Sequence, residues 1–422
     1  MTPSISRSAF SRVTALAAKR TIHTAFAWLH GHSKTMLDWQ TGLCAIPAPP
    51  FGEKARSEWM ADRFREIGLQ DVATDAVGNV LGFLPAPHLE QAATGPVVVV
   101  SAHLDTVFPA DAPLNLVVKS IEGYERIEGP GACDNAAGVI GMLGIAQALV
   151  KAGAEFPAAL LFVGNVGEEG EGDLRGVRHL YREGSLGARI AAHIVLDGAG
   201  CDSAVTQALG SRRFQVTITG PGGHSFTDTG TANPIAALAT ALTAVASTPL
   251  PDEPRTTLNL GTVHGGTSVN SIPESAAATV DFRSTSADEL VRLEVALHRA
   301  VEDAVEQWNA RATPAGRARG VLAYRIETIG NRPAAILPDH SPIAEALRAV
   351  DRHLGLRSSV RLGSTDANLP ISLGIPALSV GAGGEGGGAH TLAEWYSTKN
   401  RELGLRRIVL LTAAMLEWAA EQ

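Results

Sequence analysis

The segment Pro96-Val97-Val98-Val99-Val100-Ser101-Ala102-His103-Leu104-Asp105 constrains this chain more than any other. Four consecutive valines leave no polar face, so the run suits a strand covered on both sides, as in a parallel sheet between helices. The run stops on His103 and Asp105. In open α/β sheets, chemistry collects beyond the carboxyl ends of the strands.

The surrounding pattern agrees. Helices are predicted over 55–68, ending near Gly68, and over 136–150. Short buried strands are predicted over 158–163 and 194–196. Alternating strand and helix implies a mainly parallel sheet with helices on both faces. The texture changes after Gly210. Arg213 to Thr219 alternates polar and apolar residues, as a half-exposed antiparallel strand does. A helix (234–247), strands at 256–263 and 276–283, a helix (287–310) and a strand (321–329) complete a βαββαβ order. Thr313 to Gly320 reads as a polar loop. From Asn331 the first pattern resumes, with a helix over 341–354 and a buried strand over 375–380. The expected organisation is an α/β domain, residues 1–210 and 331–422, interrupted by a smaller α+β domain, residues 211–330.

Composition narrows the classes. A length of 422 residues exceeds a single core and fits two domains. A net charge of −8 argues against a nucleic-acid surface. No apolar run reaches the roughly 20 residues that span a bilayer. Cys44, Cys133 and Cys201 are widely spaced and form no CxxC pair, so neither a disulfide framework nor a thiolate metal site is expected. A reducing, cytoplasmic setting follows as an expectation. The segment before Asp38 holds no acidic residue, a composition weakly similar to an organellar transit peptide. An amphipathic surface helix explains it more simply.

Five separated segments deliver His, Asp or Glu to one predicted sheet edge: His103, Asp134, Glu168-Glu169, Asp197 and His390. Each alone has a plain reading, such as a helix cap for Asp134 or a turn for Asp197-Gly198. Together they form a ligand set for two divalent cations. Imidazole and carboxylate without thiolate suit zinc, and also cobalt or manganese. In extended backbone Glu168 and Glu169 point apart, so one can bind metal while the other takes a proton. Asp105 is placed to accept a hydrogen bond from the second ring nitrogen of His103.

The segments Ser-Ala-His103-Leu-Asp105, Gly-Ala-Cys-Asp134-Asn-Ala-Ala-Gly, Gly-Glu168-Glu169-Gly, Leu-Asp197-Gly, Gly-Gly-His224-Ser and Ala-His390-Thr resemble the dizinc metallopeptidases of the peptidase T, aminoacylase, carboxypeptidase G and succinyl-diaminopimelate desuccinylase type. The resemblance runs from about residue 35 to the end. It implies a zinc-exopeptidase-like catalytic domain with an inserted lid or dimerisation domain. It further implies that His103 and Asp197 bind one metal, Glu169 and His390 the other, and that Asp134 bridges. Glu168 would be the general base and Asp105 would orient His103. His224 would stabilise an oxyanion in the neighbouring subunit of a homodimer. Asn270, Arg283, Ser364 and Thr365 match positions that hold substrate, with Arg283 suited to gripping a carboxylate. Ion pairing for Arg283 and a polar turn for Ser364-Thr365 are the plain alternatives.

Two departures matter. Asn135-Ala136-Ala137 stands where many relatives carry a lysine. Asp197 stands where deacylases and carboxypeptidases usually have Glu, and aminopeptidases and dipeptidases Asp. The expected activity is therefore amide hydrolysis of small peptides, with N-acyl amino acid deacylation or carboxypeptidase-type cleavage as the alternative. A dinuclear phosphoesterase would use similar ligands, but no cluster of Arg or Lys accompanies these loops. Cys133 reads as packing. The glycines of 381–388 precede no helix and read as flexible chain that returns His390 to the metals.

Overall fold

The valine run forms the strand Val97–His103, and all of its residues are buried. The computed structural model describes residues 4–84, 94–182 and 186–422. Val97–His103 pairs in parallel with Ala159–Asn165 on one side and Ile190–Leu196 on the other. Removing each valine side chain from water contributes about 1.5–3 kcal/mol, which is why this strand carries no polar residue until Ser101.

Across the sheet the order is Gln70–Thr74, Val80–Phe83, Ala159–Asn165, Val97–His103, Ile190–Leu196, Ala377–Val380 and Ser203–Ala208. The centre is parallel, and Ala377–Val380 adds to Ile190–Leu196 in the same sense. Antiparallel pairing is confined to the flanks, between Gln70–Thr74, Val80–Phe83 and Ala159–Asn165, and between Ala377–Val380 and Ser203–Ala208. On one face Val97, Val99, Leu161 and Val163 pack with Leu180 of the helix Arg175–Arg182. The helices Ala136–Lys151 and Arg401–Ala419 also pack on the central strand. Ala136–Lys151 is buried nearly all round, as expected for a helix apolar on every side.

The acid-free N-terminal segment is three helices, Ser4–Ala17, Arg20–Gly31 and Ser33–Cys44. They are more than surface amphipaths. Val13, Leu16, Ile22, Leu29 and Met36 are buried. Met36 packs over Gly144, where a Cβ would lie 2.7 Å from its sulfur. The basic residues meet the end of the last helix, Arg12 with Glu421 at 2.9 Å and Lys19 with Glu417 at 2.7 Å. Among the described residues no helix is long and apolar enough to cross a membrane.

The chain divides into two units, Met1–Ala208 with Ile336–Gln422, and Leu209–Ala335. In the second, an antiparallel sheet runs Thr256–Gly265, Ser275–Ser284, Gly210–Thr219, Ala323–Arg332. Period-two alternation puts Phe214, Val216, Ile218, Val280 and Phe282 in one core with Leu238, Leu242, Leu293, Leu297 and Val301 of two helices. Those helices, Pro234–Ala246 and Ala287–Arg311, start on side-chain caps from Asn233 and Ser286. A short pair, Gly223–His224 with Ser271–Ile272, stands apart from this sheet. The stretch read as a polar loop contains a helix, Pro314–Arg319, capped by Thr313 Oγ1 accepting Gly316 N–H at 3.1 Å. Thr-Pro was its signal: a capping hydroxyl followed by proline at the first helical position.

Candidate metal centre

His103 ends the central strand and is 1% exposed. Its register partner on the neighbouring strand is Asn165. Two residues beyond Asn165, the chain turns at Gly167, whose φ of +67° favours glycine. Glu168 and Glu169 follow, both buried. Asp197 follows the strand Ile190–Leu196, and its N–H donates to the Val380 carbonyl at 3.0 Å.

The other two ligand candidates come from a feature that sequence reading did not anticipate. A small antiparallel sheet pairs Glu385–Gly387, Trp395–Ser397, Tyr124–Glu128 and Val117–Ile121 in that order. His390 lies in the turn of its first hairpin. Asp134 lies in the turn that leaves Tyr124–Glu128. Pairing of Trp395 with Glu128 brings the two turns together. The glycines before His390 permit close packing and are not merely flexible. A Cβ on Gly384 would collide with the Tyr396 ring, and one on Gly386 with the Cys133 sulfur.

Asp134 stands between two imidazoles. Its Oδ1 is 3.1 Å from His103 Nε2 and its Oδ2 is 3.1 Å from His390 Nε2. Asp197 Oδ1 is 3.9 Å from His103 Nε2, and Glu169 Oε1 is 3.2 Å from His390 Nε2. Ligand atoms of His103, Asp134 and Asp197 all lie within 4.8 Å of one another, as do those of Asp134, Glu169 and His390. Two three-residue groups therefore share Asp134. A third group, His103, Glu168 and Glu169, shows that the two glutamates do not diverge fully as extended backbone would require. The turn at Gly167 removes that constraint.

The electrostatics suit cations. Burial pushes Asp134 upward, but the two imidazoles outweigh it and hold the carboxyl below its usual range. His390 is pushed up to about 9, first by its hydrogen bond to Asp134. Burial depresses His103, yet Asp105, Asp134 and Asp197 together raise it well above the ordinary imidazole value. Glu169 is pushed up to about 7 by burial. These groups hold protons where they crowd one another, and dications can replace those protons. Asp134 Oδ1 is buried and makes no hydrogen bond, although it lies 3.1 Å from His103 Nε2. A buried carboxylate oxygen left open between two imidazoles fits a metal ligand.

Asp105 touches both the His103 ring and the Glu168-Glu169 turn. His103 Nδ1 is 3.1 Å from the Asp105 backbone carbonyl, and 3.6 Å from its carboxylate. The carboxylate accepts the backbone N–H groups of Glu168 at 3.0 Å and Glu169 at 2.7 Å. Asn135, also unanticipated, staples two ligand loops: its Nδ2 donates to Leu196 O at 2.9 Å, and its Oδ1 accepts Gly198 N–H at 3.0 Å.

The remaining candidates fall in both units of the chain. Thr365 is buried, its N–H donates to Asn368 Oδ1 at 3.0 Å, and its Oγ1 accepts Ala367 N–H at 3.2 Å, so it shapes a polar turn. Ser364 beside it is partly exposed. Asp366, in the same segment, is buried against Asn165, with 2.6 Å between Asp366 Oδ2 and Asn165 Nδ2. His224, Asn270 and Arg283 belong to the unit Leu209–Ala335. Arg283 Nε is paired with Asp281 at 2.8 Å, which is its plain alternative. His224 is exposed, and its Nδ1 accepts Phe226 N–H at 3.2 Å. That bond places the proton of the neutral ring on Nε2. Asn270 lies beside it, its carbonyl accepting Ser225 N–H at 3.0 Å.

A mainly parallel sheet whose carboxyl edge carries two histidine–carboxylate groups sharing one aspartate defines the class: an α/β fold with a candidate dinuclear metal centre. Residues 99–415 match the peptidase family M20/M25/M40, and the chain belongs to that family. A probable carboxypeptidase of Aspergillus clavatus is 28% identical over 269 residues, covering 60% of this chain and 58% of that protein. One from Aspergillus flavus is 31% identical over 233 residues, 50% of this chain and 51% of the relative. The chain thus spans little more than half the length of these relatives. Aminopeptidase PepT of Bacillus cereus shares the fold, with TM-score 0.67, 20% identity, and coverage of 92% of this chain and 98% of that one. So does the di-peptidase Dug1p of Saccharomyces cerevisiae, with TM-score 0.66, 15% identity, and coverage of 96% and 100%.

Proposed function

We propose that this chain is a metal-dependent amide hydrolase acting on small peptides, with two divalent cations held by His103, Asp134, Glu169, Asp197 and His390. The observation that carries the reading is Asp134, whose two oxygens each face a different imidazole at 3.1 Å. One carboxylate facing two imidazole–carboxylate groups would let these residues hold a pair of dications with Asp134 shared between the two groups. Zinc suits the donors best, with cobalt or manganese as substitutes. When bound, such ions polarise a carbonyl and lower the pKa of a water.

The chain's own groups supply the rest. Glu168 is buried beside His103 and Glu169. It takes a proton from the attacking water and returns it to the leaving amine. Asp105 fixes the Glu168-Glu169 turn through its two N–H acceptances. His224, with its proton on Nε2, is a donor for the developing oxyanion, contributed by the partner in a homodimer. The unit Leu209–Ala335 offers an edge strand, Thr256–Gly265, whose outer half is exposed.

Two substrate classes are in play. Asp197, in place of Glu, favours free-amine di- or tripeptides. The probable carboxypeptidases among the matched relatives favour carboxypeptidase-type or N-acyl amino acid cleavage. A zinc-reconstituted protein assayed on free-amine di- and tripeptides beside N-acetyl and N-succinyl amino acids tests the choice. Turnover of the free-amine set at least tenfold faster supports the leading reading. The reverse order supports the alternative, and no turnover of either contradicts both.

A further inference from the structure

The turn that presents Asp134 directs three backbone N–H groups at one side chain. Glu394 Oε2 accepts Gly131 N–H at 2.9 Å, and Oε1 accepts Cys133 N–H at 2.7 Å and Asp134 N–H at 2.6 Å. Glu394 is wholly buried. Its backbone reaches the same turn, since Gly129 N–H donates to the Glu394 carbonyl at 2.8 Å. From the opposite side, Gln40 Nε2 holds the Ala132 carbonyl at 2.7 Å. Converging backbone N–H groups make a concavity for an anion. Here the anion is the chain's own carboxylate, four residues beyond His390.

Only a carboxylate answers all three donors, because both of its oxygens accept. A glutamine in its place has one accepting oxygen, and its amide group would face an N–H donor to donor. The charge matters as well as the shape, since hydrogen bonds to an ionised acceptor are about twice as strong as neutral ones.

We propose that Glu394 is a positioning residue for Asp134 and His390. It locks the Asp134 turn by its N–H groups and, through its place in the same hairpin turn as His390, fixes the spacing between these two metal-ligand candidates. The inference rests on the metal-site reading above. Loss of Glu394 removes no ligand residue but lets Asp134 drift relative to His390.

The test uses the metal-free full chain, unsubstituted and as Glu394→Gln and Glu394→Asp. Zinc binding is measured by competition with a chromogenic chelator, and secondary structure by circular dichroism. The expected result is two zinc equivalents for the unsubstituted chain and at least a tenfold weaker affinity for one equivalent in Glu394→Gln. Glu394→Asp, which keeps the charge, falls between. In steady-state assays kcat falls, KM changes less than twofold, and excess zinc restores part of kcat. If Glu394→Gln does not fold, the Glu394→Asp affinity decides. Unsubstituted binding of two equivalents with unaltered affinity in the folded variants, even with lowered thermal stability, overturns the inference alone. Failure of the unsubstituted chain to bind zinc overturns the metal reading and this inference with it.

Discussion

Asp134 Oδ2 and His390 Nε2 lie 3.1 Å apart although 256 positions separate them in sequence. A four-stranded antiparallel sheet brings them together, with Trp395 paired to Glu128 immediately before the Asp134 turn. The same aspartate reaches His103 at the end of the central parallel strand. The candidate centre therefore joins two sheets through one carboxylate.

Glu168→Gln should cut kcat by about 10²- to 10⁴-fold, the usual contribution of a general base. Metal content should stay unchanged, because Glu168 is not assigned as a ligand. Steady-state kinetics and elemental analysis of the same preparation check this. Unchanged turnover would remove Glu168 from the mechanism.

Asp105→Ala removes the acceptor for the N–H groups of Glu168 and Glu169. Activity should fall by about 10- to 100-fold, the usual cost of losing a group that orients ligands. Asp105→Asn keeps one accepting oxygen and should lose less. Equal kinetics for the unsubstituted chain and Asp105→Ala would show that the Glu168-Glu169 turn holds itself.

His193 provides a pH signature away from the ligands. Its Nε2 is 2.8 Å from Ser101 Oγ and its Nδ1 is 3.0 Å from Tyr181 Oη. Burial holds it down at about 3, against 6.5 for a free imidazole. Below pH 6.5 the unfolded chain binds a proton that the folded chain refuses. The stability from this site is present above pH 6.5 and is lost as pH falls from there toward 3. Melting temperatures at pH 7.5 and 4.5 should drop further in the unsubstituted chain than in His193→Gln. Equal drops would contradict the buried neutral ring.

His224→Ala should lower kcat with little change in metal content. If His224 acts in the partner's site, mixing His224→Ala with Glu168→Gln should restore activity, because one of the two sites in a mixed dimer is then intact. No recovery from mixtures shown to exchange subunits would place His224 outside that role.

What the sequence revealed depended on how strongly burial stamps a pattern. Val97 to Val100 was legible because a strand covered on both faces favours an unbroken apolar run. Gly210 to Thr219 was legible because one wet face enforces alternation. His103, at the end of the first of these strands, came with it. The hairpin around His390 was not legible: its strands are three residues each, too short to show a period, and the first is mostly glycine. Glu394 was missed for the same reason, since its partners are backbone N–H groups that leave no mark on residue types. Its place four residues after His390 was the available signal. Thr365 and Arg283 showed the reverse, polar residues whose partners are local.

The most direct measurement is the metal content of the chain after removal and restoration of zinc, read together with activity. The account predicts two equivalents per chain, no turnover without them, recovery on restoration, and at most one tightly held equivalent in Asp134→Ala. One equivalent or none in the unsubstituted chain, or two held with full affinity by Asp134→Ala, would contradict it.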